Sequence, residues 1–490
     1  MTRTQTAHSD FDDRKVAIDA AASVGARVLA MGVSAVTAIV IAGSLPKGEY
    51  GAYALASGLA GLLGVALDLG TTSALARYLA QGRATPRLVA VVAGLRGALL
   101  LLGAIVLAVT SMAMGDPSRF QELLLPAALV LLLQGLVSFL YGTLPSMPRI
   151  RLLLVVMVLQ PIVELVFVLV AHAHHGGAAA MLLAAAAGAA FGSLLGYGAL
   201  LVRHDGMRAR TEQREQVATA SKVVRYGLQL YLVLLLMMVF GQLDQFVIKA
   251  FHGDVAVAPY ALVIKLQAML VAPAITATSI VAPRIAGAGA RGAVIYRQWL
   301  AFFIVVQVGI CAMVGVVAPD LFAAINPDYR GDWGLLVAML GFLLLSGLAT
   351  LPSVTMNQLG AARARQRIAI VAVALNVVLD LSLVPSLDAY GAAIGTTVAY
   401  TWYVYAHHRL VERALLAQAE EAPSSMAPMV ARGLVLAAVA VGVGLVLRPI
   451  AEGLASGRQG ALLVVAIAGV APGALYLVAI TRLLRRPASA

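Results

Sequence analysis

Charge is scarce in this chain of 490 residues: 12% of the residues are Asp, Glu, Lys or Arg, whereas 61% are apolar. Soluble globular proteins have roughly 25% charged and 45–50% apolar residues. The lack of charge therefore excludes a soluble protein built of ordinary domains, and the apolar excess excludes a disordered or fibrous chain. The class that remains is a multi-span membrane protein, whose apolar surface is solvated by lipid.

Cysteine and nucleotide-binding motifs are also missing. The single cysteine, Cys311, excludes an intramolecular disulfide and any metal site made of several thiolates. No G-x-x-x-x-G-K-[ST] loop and no H-E-x-x-H sequence occurs, which argues against a nucleotide-driven pump within the chain. We therefore expect no cofactor and no metal. The net charge of +12 is attributed to loop orientation in a membrane and not to nucleic-acid binding.

Long apolar segments fill the chain. Windows of about 20 mostly apolar residues predict an all-α protein with fourteen transmembrane helices. Most of the 35 Lys and Arg residues then fall in segments on the side of the N-terminus. By the positive-inside rule, this predicts a multi-pass protein of the plasma (inner) membrane with both termini in the cytoplasm. A missed or added span would exchange the sides of all later loops, and Lys and Arg would no longer concentrate on one side.

Two longer polar segments divide the spans into six, six and two. We predict a cytoplasmic tail (1–16), an N-terminal six-helix bundle (17–202), a cytoplasmic linker (203–222), a C-terminal six-helix bundle (223–410), a second cytoplasmic linker (411–428), an accessory helix pair (429–481) and a basic cytoplasmic tail (482–490).

The two six-helix bundles show an internal similarity. Tyr53-Ala54-Leu55 follows the first outer loop, and Tyr260-Ala261-Leu262 follows the seventh span at the matching place. Both bundles would start on the same side, so they are expected to be parallel repeats. Transporters built from such repeats bind their substrate between the halves and rock them alternately.

Ionisable residues within the predicted spans are few and therefore informative. Arg27, Arg96 and Lys265 are cations inside spans, where a charge costs about 2.5–3.5 kcal/mol on insertion scales. They predict a cationic cavity that binds an anionic headgroup, since Arg forks onto phosphate oxygens. The alternatives are snorkelling to the interface, pairing of the arginines with Asp68, and pairing of Lys265 with Asp244.

The polar residues Asp68, Glu164, Asp244, Asn376 and Asp380 also lie in spans. Asn376 and Asp380 are four residues apart and so share a helix face. These side chains are candidates for coupling to an ion or for lining the lumen. Interhelical hydrogen bonds, worth about 0.6 kcal/mol each, are the alternative. No pattern in the sequence selects the residue that would carry a proton.

Three spans contain an internal proline, at Pro161, Pro273 and Pro352. Each proline removes a backbone hydrogen bond and predicts either a hinge or a static kink.

The outer loops are all short, the longest being near Pro319–Asp332. They leave no room for an extracytoplasmic catalytic domain.

Several motifs resemble those of polysaccharide-transport flippases, a family of the multidrug/oligosaccharidyl-lipid/polysaccharide exporter superfamily. The matching segments are Gly48–Leu55, Ala66–Gly70, Arg77–Ala80, Asn376–Pro385 and Tyr390–Thr396. The first three are similar to the family's G-x-[FY]-G-x-[FY], D-x-G and R-x-x-A opening, and the last two to its eleventh and twelfth spans. The charge-containing first span of peptidoglycan-precursor flippases is not found, and the loop after the second span does not match that of major-facilitator proteins.

The resemblance implies a V-shaped pair of six-helix bundles around a cationic cavity. It also implies a substrate, an oligosaccharide linked to polyprenyl pyrophosphate, with membrane lipids and a polysaccharide polymerase or export machinery as further partners. Three hypotheses remain: a lipid-linked oligosaccharide flippase that works without enzymatic turnover, an antiporter for cations or drugs, and a membrane glycan polymerase or ligase. The short outer loops oppose the last of these.

Overall fold

The computed structural model describes residues 3–81, 83–113, 119–143, 150–202, 218–419 and 425–485, and in these ranges every regular element is a helix. Most of the predicted linker 203–222, the middle of the second linker and the end of the basic tail lie outside them. The α-helices are α1 (Arg3–Ser44), α2 (Lys47–Ala66), α3 (Thr71–Ala80), α4 (Pro86–Ala113), α5 (Arg119–Glu122), α6 (Leu124–Thr143), α7 (Ile150–Ala173), α8 (Ala178–Val202), α9 (Ala220–His252), α10 (Asp254–Gly287), α11 (Gly292–Ile325), α12 (Trp333–Ala338), α13 (Leu340–Gln358), α14 (Ala362–Leu387), α15 (Ala389–Leu416), α16 (Ala427–Glu452), α17 (Gly457–Val464) and α18 (Ala471–Arg485).

Twelve helical segments of the described chain are long and apolar enough to cross a membrane, which confirms the all-α polytopic class. Helices α2 and α3 together make a thirteenth candidate, bent by 51° at the break between them. Helix α15, predicted as the twelfth span, has 28 residues but is absent from this set. Its Thr, Tyr and His residues lower the mean hydropathy. The count of fourteen spans stays a prediction.

The helices pack into two compact units, and the same order of packing is found inside each. Unit 1 comprises Met1–Leu45 and Ala52–Gln242, and unit 2 comprises Pro46–Gly51 and Leu243–Ala490. In unit 1, α4 packs on α6, α6 on α8, and α7 on α8. In unit 2, α11 packs on α13, α13 on α15, and α14 on α15. These pairs occupy matching places in the chain, as expected for a repeat. The bundle boundaries proposed from the sequence stay a prediction.

Within unit 2, the accessory helices α16, α17 and α18 pack on α11. The Tyr476 ring lies where a side chain at Gly309 would stand, and its hydroxyl donates to the carbonyl of Val305. Arg458 donates to the carbonyl oxygens of Ala324 at 2.8 Å and Ile325 at 3.1 Å. These carbonyls belong to the last turn of α11, where the helix leaves acceptors without a partner. The arginine therefore caps α11 from outside.

Large apolar side chains remain exposed on many helices. Leu102 of α4 is 57% exposed, and Val435 and Val446 of α16 are 64% and 66% exposed. Exposing such surface to water costs about 25 cal/mol for each Å². Their environment is therefore the lipid that the composition predicts.

Helices α2 and α3 are separated by a break that contains no proline. The chain leaves α2 after Ala66, and Leu69 and Gly70 have positive φ angles of 49° and 67°. Thr71 starts α3 and donates both its N–H, at 2.9 Å, and its hydroxyl, at 2.7 Å, to the carbonyl of Asp68. The D-x-G motif thus forms a turn between two helical segments of the predicted second span.

Prolines do not divide the other spans. Helix α7 continues past Pro161, α10 past Pro273, and α13 past Pro352. The only bent pair of spanning helices in the described chain is the one at the D-x-G turn.

Replacing Gly70 by Ala is expected to destabilise unit 1. The residue has a positive φ angle, and an added Cβ would collide with the backbone of Gly227 in α9, which leaves a larger side chain no room. The expected loss is about 1–3 kcal/mol, measured as a lower melting temperature of the purified protein in detergent. The matched control is Gly94→Ala on α4, where a Cβ meets nothing within 4 Å. Equal melting temperatures for the two variants would show that Gly70 is not required at the turn between α2 and α3.

Candidate functional site

Two carboxylates are buried inside unit 2. Asp244 of α9 is 2% exposed and Asp380 of α14 is 0% exposed, and their carboxyl groups are neighbours. Asn376, one turn before Asp380, is also fully buried. The structure therefore brings together three of the residues that the sequence predicts for ion coupling. We name Asp244, Asn376 and Asp380, together with Tyr260 and Thr396, the carboxylate cluster.

Hydroxyl groups bind one side of the cluster. Tyr260 of α10 donates to Oδ2 of Asp244, and Thr396 of α15 donates to the same oxygen at 2.6 Å. The amide of Asn376 reaches Oγ1 of Thr396 at 3.5 Å. Four helices, α9, α10, α14 and α15, thus contribute to one polar group in an apolar surrounding.

Glycine lets α14 and α15 approach closely enough to form this cluster. A Cβ at Gly395 would meet Oδ1 of Asp380, and one at Gly391 would meet the backbone of Leu383. Small residues at helix crossings allow such close packing in membranes. The glycines of the Tyr390–Thr396 motif therefore place α15 against the polar face of α14.

Several oxygens of the cluster have no donor from outside it. Oδ1 of Asp244, both carboxyl oxygens of Asp380 and Oδ1 of Asn376 are buried, and among the described residues their polar neighbours are other members of the cluster. No ion pair of the described chain includes Asp244 or Asp380. Two adjacent buried carboxylates cannot both carry their charge without a compensating cation or proton. Chemically, the cluster is thus suited to binding a small cation.

A second polar group lies in unit 1, at the D-x-G turn. Arg96 of α4 is 4% exposed and forms an ion pair with Asp68. It also donates to Oγ of Ser138 at 2.8 Å and to the carbonyl of Gly135 at 3.2 Å on α6. Thr72 donates to the same Asp68 carboxylate. Of the alternatives left open by the sequence, the structure shows the pairing of Arg96 with Asp68.

The remaining candidate residues lie outside these two groups. Arg27 on α1 and Lys265 on α10 are exposed. Glu164 on α7 accepts a hydrogen bond from Gln160 at 3.2 Å, and Gln160 accepts one from Tyr141 at 2.7 Å. Glu164 therefore has a neutral hydrogen-bond donor in unit 1, whereas Asp244 and Asp380 are neighbours in unit 2.

The contacts of Tyr260, Thr396 and Ser138 could not be predicted from the sequence. Tyr260 lies in the repeated Tyr-Ala-Leu segment, and Thr396 lies in a motif of the family. Both patterns marked the residues as distinctive, but neither indicated that they contact Asp244. Ser138 lies in an apolar helix and had no distinguishing pattern.

Comparison with known proteins agrees with this fold. A family model described as polysaccharide biosynthesis protein matches residues 17–288, which is more than half of the chain, and the chain therefore belongs to that family. No curated protein matches the chain in sequence.

Solved structures show the same fold at low identity. The lipid II flippase MurJ in an inward closed conformation gives a TM-score of 0.65 with 14% identity, over 96% of this chain and 100% of that one. An inward-facing multidrug resistance MATE transporter of the MOP superfamily gives 0.59 with 17% identity, over 81% and 96%. The Vibrio cholerae MATE transporter VcmN gives 0.55 with 16% identity, over 82% and 98%. At these identities the matches show a shared fold, and it is the fold that the resemblance to the exporter superfamily implies.

Proposed function

We propose that the chain is a flippase that moves an oligosaccharide linked to polyprenyl pyrophosphate across the plasma (inner) membrane by alternating access. The observation that carries the proposal is the family match over residues 17–288, combined with a fold similar to that of a lipid II flippase. In this proposal both termini are cytoplasmic, and a polysaccharide polymerase or export machinery receives the product. The direct test is a flipping assay in proteoliposomes with a defined fluorescent lipid-linked sugar.

The exposed cations are the proposed contacts for the pyrophosphate. Arg27 and Lys265 have accessible side chains, and each lies within a predicted span. Arg96 is buried against Asp68, so its part is to hold the D-x-G turn instead of binding substrate. This divides the predicted cationic set of Arg27, Arg96 and Lys265 into two binding residues and one positioning residue.

Variants Arg27→Ala and Lys265→Ala are expected to fold normally and to flip the lipid-linked sugar more slowly. A charge-assisted hydrogen bond to phosphate contributes about 1.5–3 kcal/mol, so each loss should raise the apparent KM about 10-fold or more. Initial flipping rates over a range of lipid-linked sugar concentrations measure this. Arg363→Ala is the control, because Arg363 is an exposed cation near the start of α14. Wild-type kinetics in both test variants would refute the proposed contacts.

The carboxylate cluster is the proposed site of a coupling cation. Its support is the set of buried acceptor oxygens on Asp244, Asn376 and Asp380, to which the described chain brings no positively charged group in an ion pair. Carboxylate, amide and hydroxyl oxygens suit a hard cation, and a proton shared by the two carboxyl groups would also relieve their repulsion. Binding there would link α9, α14 and α15, and so would favour one arrangement of these helices over another.

An antiporter for small cations or drugs is the second candidate, favoured by the MATE-like structures. The two functions differ in their cargo. Proteoliposomes loaded with a fluorescent cationic dye should show no ion-driven dye movement if the chain is a flippase. Dye transport without movement of the lipid-linked sugar would establish the antiporter instead.

A further inference from the structure

Four basic residues of unit 1 are gathered at one end of its helices. They are Arg77 at the end of α3, Arg87 at the start of α4, and Lys222 and Arg225 at the start of α9, and all are exposed. We name these four residues the basic patch.

A shared core holds the three segments together. Leu79, Leu88 and Val223 are buried in one apolar cluster that joins α3, α4 and α9. The N–H of Ala218 also donates to the carbonyl of Arg83 at 2.9 Å, which ties the start of α9 to the turn before α4. The basic patch is thus assembled by the fold from parts of the chain about 140 residues apart in sequence.

These segments carry no compensating negative charge. Residues 69–113 and 218–243 contain no Asp or Glu. In addition, α4 begins at Pro86 and α9 at Ala220, so two positive helix N-termini face this end of the unit and outnumber the one negative C-terminus there, that of α3. The local field therefore favours an anion.

Aromatic rings accompany the cations. The Arg77 guanidinium lies over the ring of Tyr226, 4.6 Å from its centroid, and donates to the Tyr226 hydroxyl. Tyr78 packs edge-on against the same ring. The arrangement orients Arg77 while leaving most of its five N–H donors for another acceptor. Tyr residues are enriched where a membrane protein meets the lipid headgroups.

We propose that the basic patch binds the phosphate headgroup of an anionic phospholipid. The patch lies at the ends of predicted spans, on the side that the charge distribution assigns to the cytoplasm. Clusters of Lys and Arg beside spans attract anionic lipids, with an effect of about fivefold in affinity for each charge near the surface. The site is separate from transport, and the proposal holds whether or not the chain flips a lipid-linked sugar. It also assigns a role to Arg77 of the R-x-x-A motif, which the transport site does not use.

The experiment titrates the full-length protein in detergent with phosphatidylglycerol or phosphatidylcholine and counts bound lipid by native mass spectrometry. The test variant is Arg87→Gln/Lys222→Gln/Arg225→Gln, whose three side chains are exposed and lie outside the Arg77–Tyr226 contact. The control variant is Arg363→Gln/Arg367→Gln/Arg413→Gln, which removes three exposed arginines from unit 2. We expect wild type and control to prefer phosphatidylglycerol, and the test variant to lose at least tenfold in affinity for it.

Three results would overturn the proposal. Equal losses in test and control variants would show that only total charge matters. Competition by millimolar inorganic phosphate as effective as that by phosphatidylglycerol would identify a free-anion site. Preferential displacement of phosphatidylglycerol by farnesyl diphosphate would assign the patch to a prenyl diphosphate.

Discussion

Replacing Asp380 by Asn is expected to weaken ion-driven flipping strongly while making the purified protein more stable. The Asp380 carboxyl is fully buried beside Asp244, and it forms no ion pair with the residues that the structure describes. Asn has nearly the same shape but removes the charge that a coupling cation would neutralise. Coupling free energies of 1–3 kcal/mol correspond to about 5–150-fold in rate or affinity, and we expect a loss in this range. Without added cation, the free energy of unfolding should rise by about 1–3 kcal/mol, because an uncompensated buried group has been removed.

Flipping driven by a sodium or a proton gradient, and melting temperature with and without sodium, measure the two effects. In wild type, the ion that drives flipping should also raise the melting temperature, whereas in Asp380→Asn neither ion should. Asp244→Asn is expected to behave in the same way, although Tyr260 and Thr396 would lose a charged acceptor.

Glu164→Gln provides the comparison in unit 1. The carboxylate of Glu164 accepts a hydrogen bond from Gln160. Replacing it by an amide should therefore change the flipping rate much less than Asp380→Asn does. If Glu164→Gln stops ion-driven flipping and Asp380→Asn does not, coupling belongs to unit 1 and the carboxylate cluster is structural.

Replacing Arg96 by Ala is expected to cause the largest loss of stability. The side chains of Arg96 and Asp68 are 5% and 15% exposed, so the variant would leave a carboxylate buried without its cation. Breaking a buried ion pair in this way costs about 3–5 kcal/mol. Helix α6 would also lose the hydrogen bonds from Arg96 to Ser138 and Gly135. Thermal unfolding of the purified protein in detergent measures the effect.

Arg448→Ala is the matched control for this prediction. Arg448 also forms an ion pair, with Asp320 at 3.0 Å, but its side chain is 28% exposed. Solvent screening limits such a pair to about 0–1 kcal/mol. The double variant Asp68→Asn/Arg96→Gln should recover part of the loss, since no buried charge remains. Equal losses for Arg96→Ala and Arg448→Ala, or no recovery in the double variant, would show that the charge of Asp68 is not the cause.

The amino-acid sequence by itself determined the class of this protein. Apolar windows of membrane length and the few charges sufficed for an all-α membrane protein, and the motifs at Gly48–Leu55 and Tyr390–Thr396 pointed to its family. These features are local in the sequence. A segment that crosses lipid must form a helix, because every backbone polar group has to be hydrogen-bonded within the segment. The i, i+4 pair of Asn376 and Asp380 was equally readable, since both residues lie on one helix.

Partners on different helices were decided only by the tertiary structure. From the sequence, Arg96 could either extend to the membrane interface or pair with Asp68. The ion pair forms because α4 packs against α6 and the turn after α2 places Asp68 beside Arg96. Asp244 and Asp380 are 136 residues apart, and their meeting depends on the close approach of α14 and α15 that Gly391 and Gly395 permit. Side-chain contacts between helices depend on the rotation and depth of each helix, and composition and periodicity leave both undetermined.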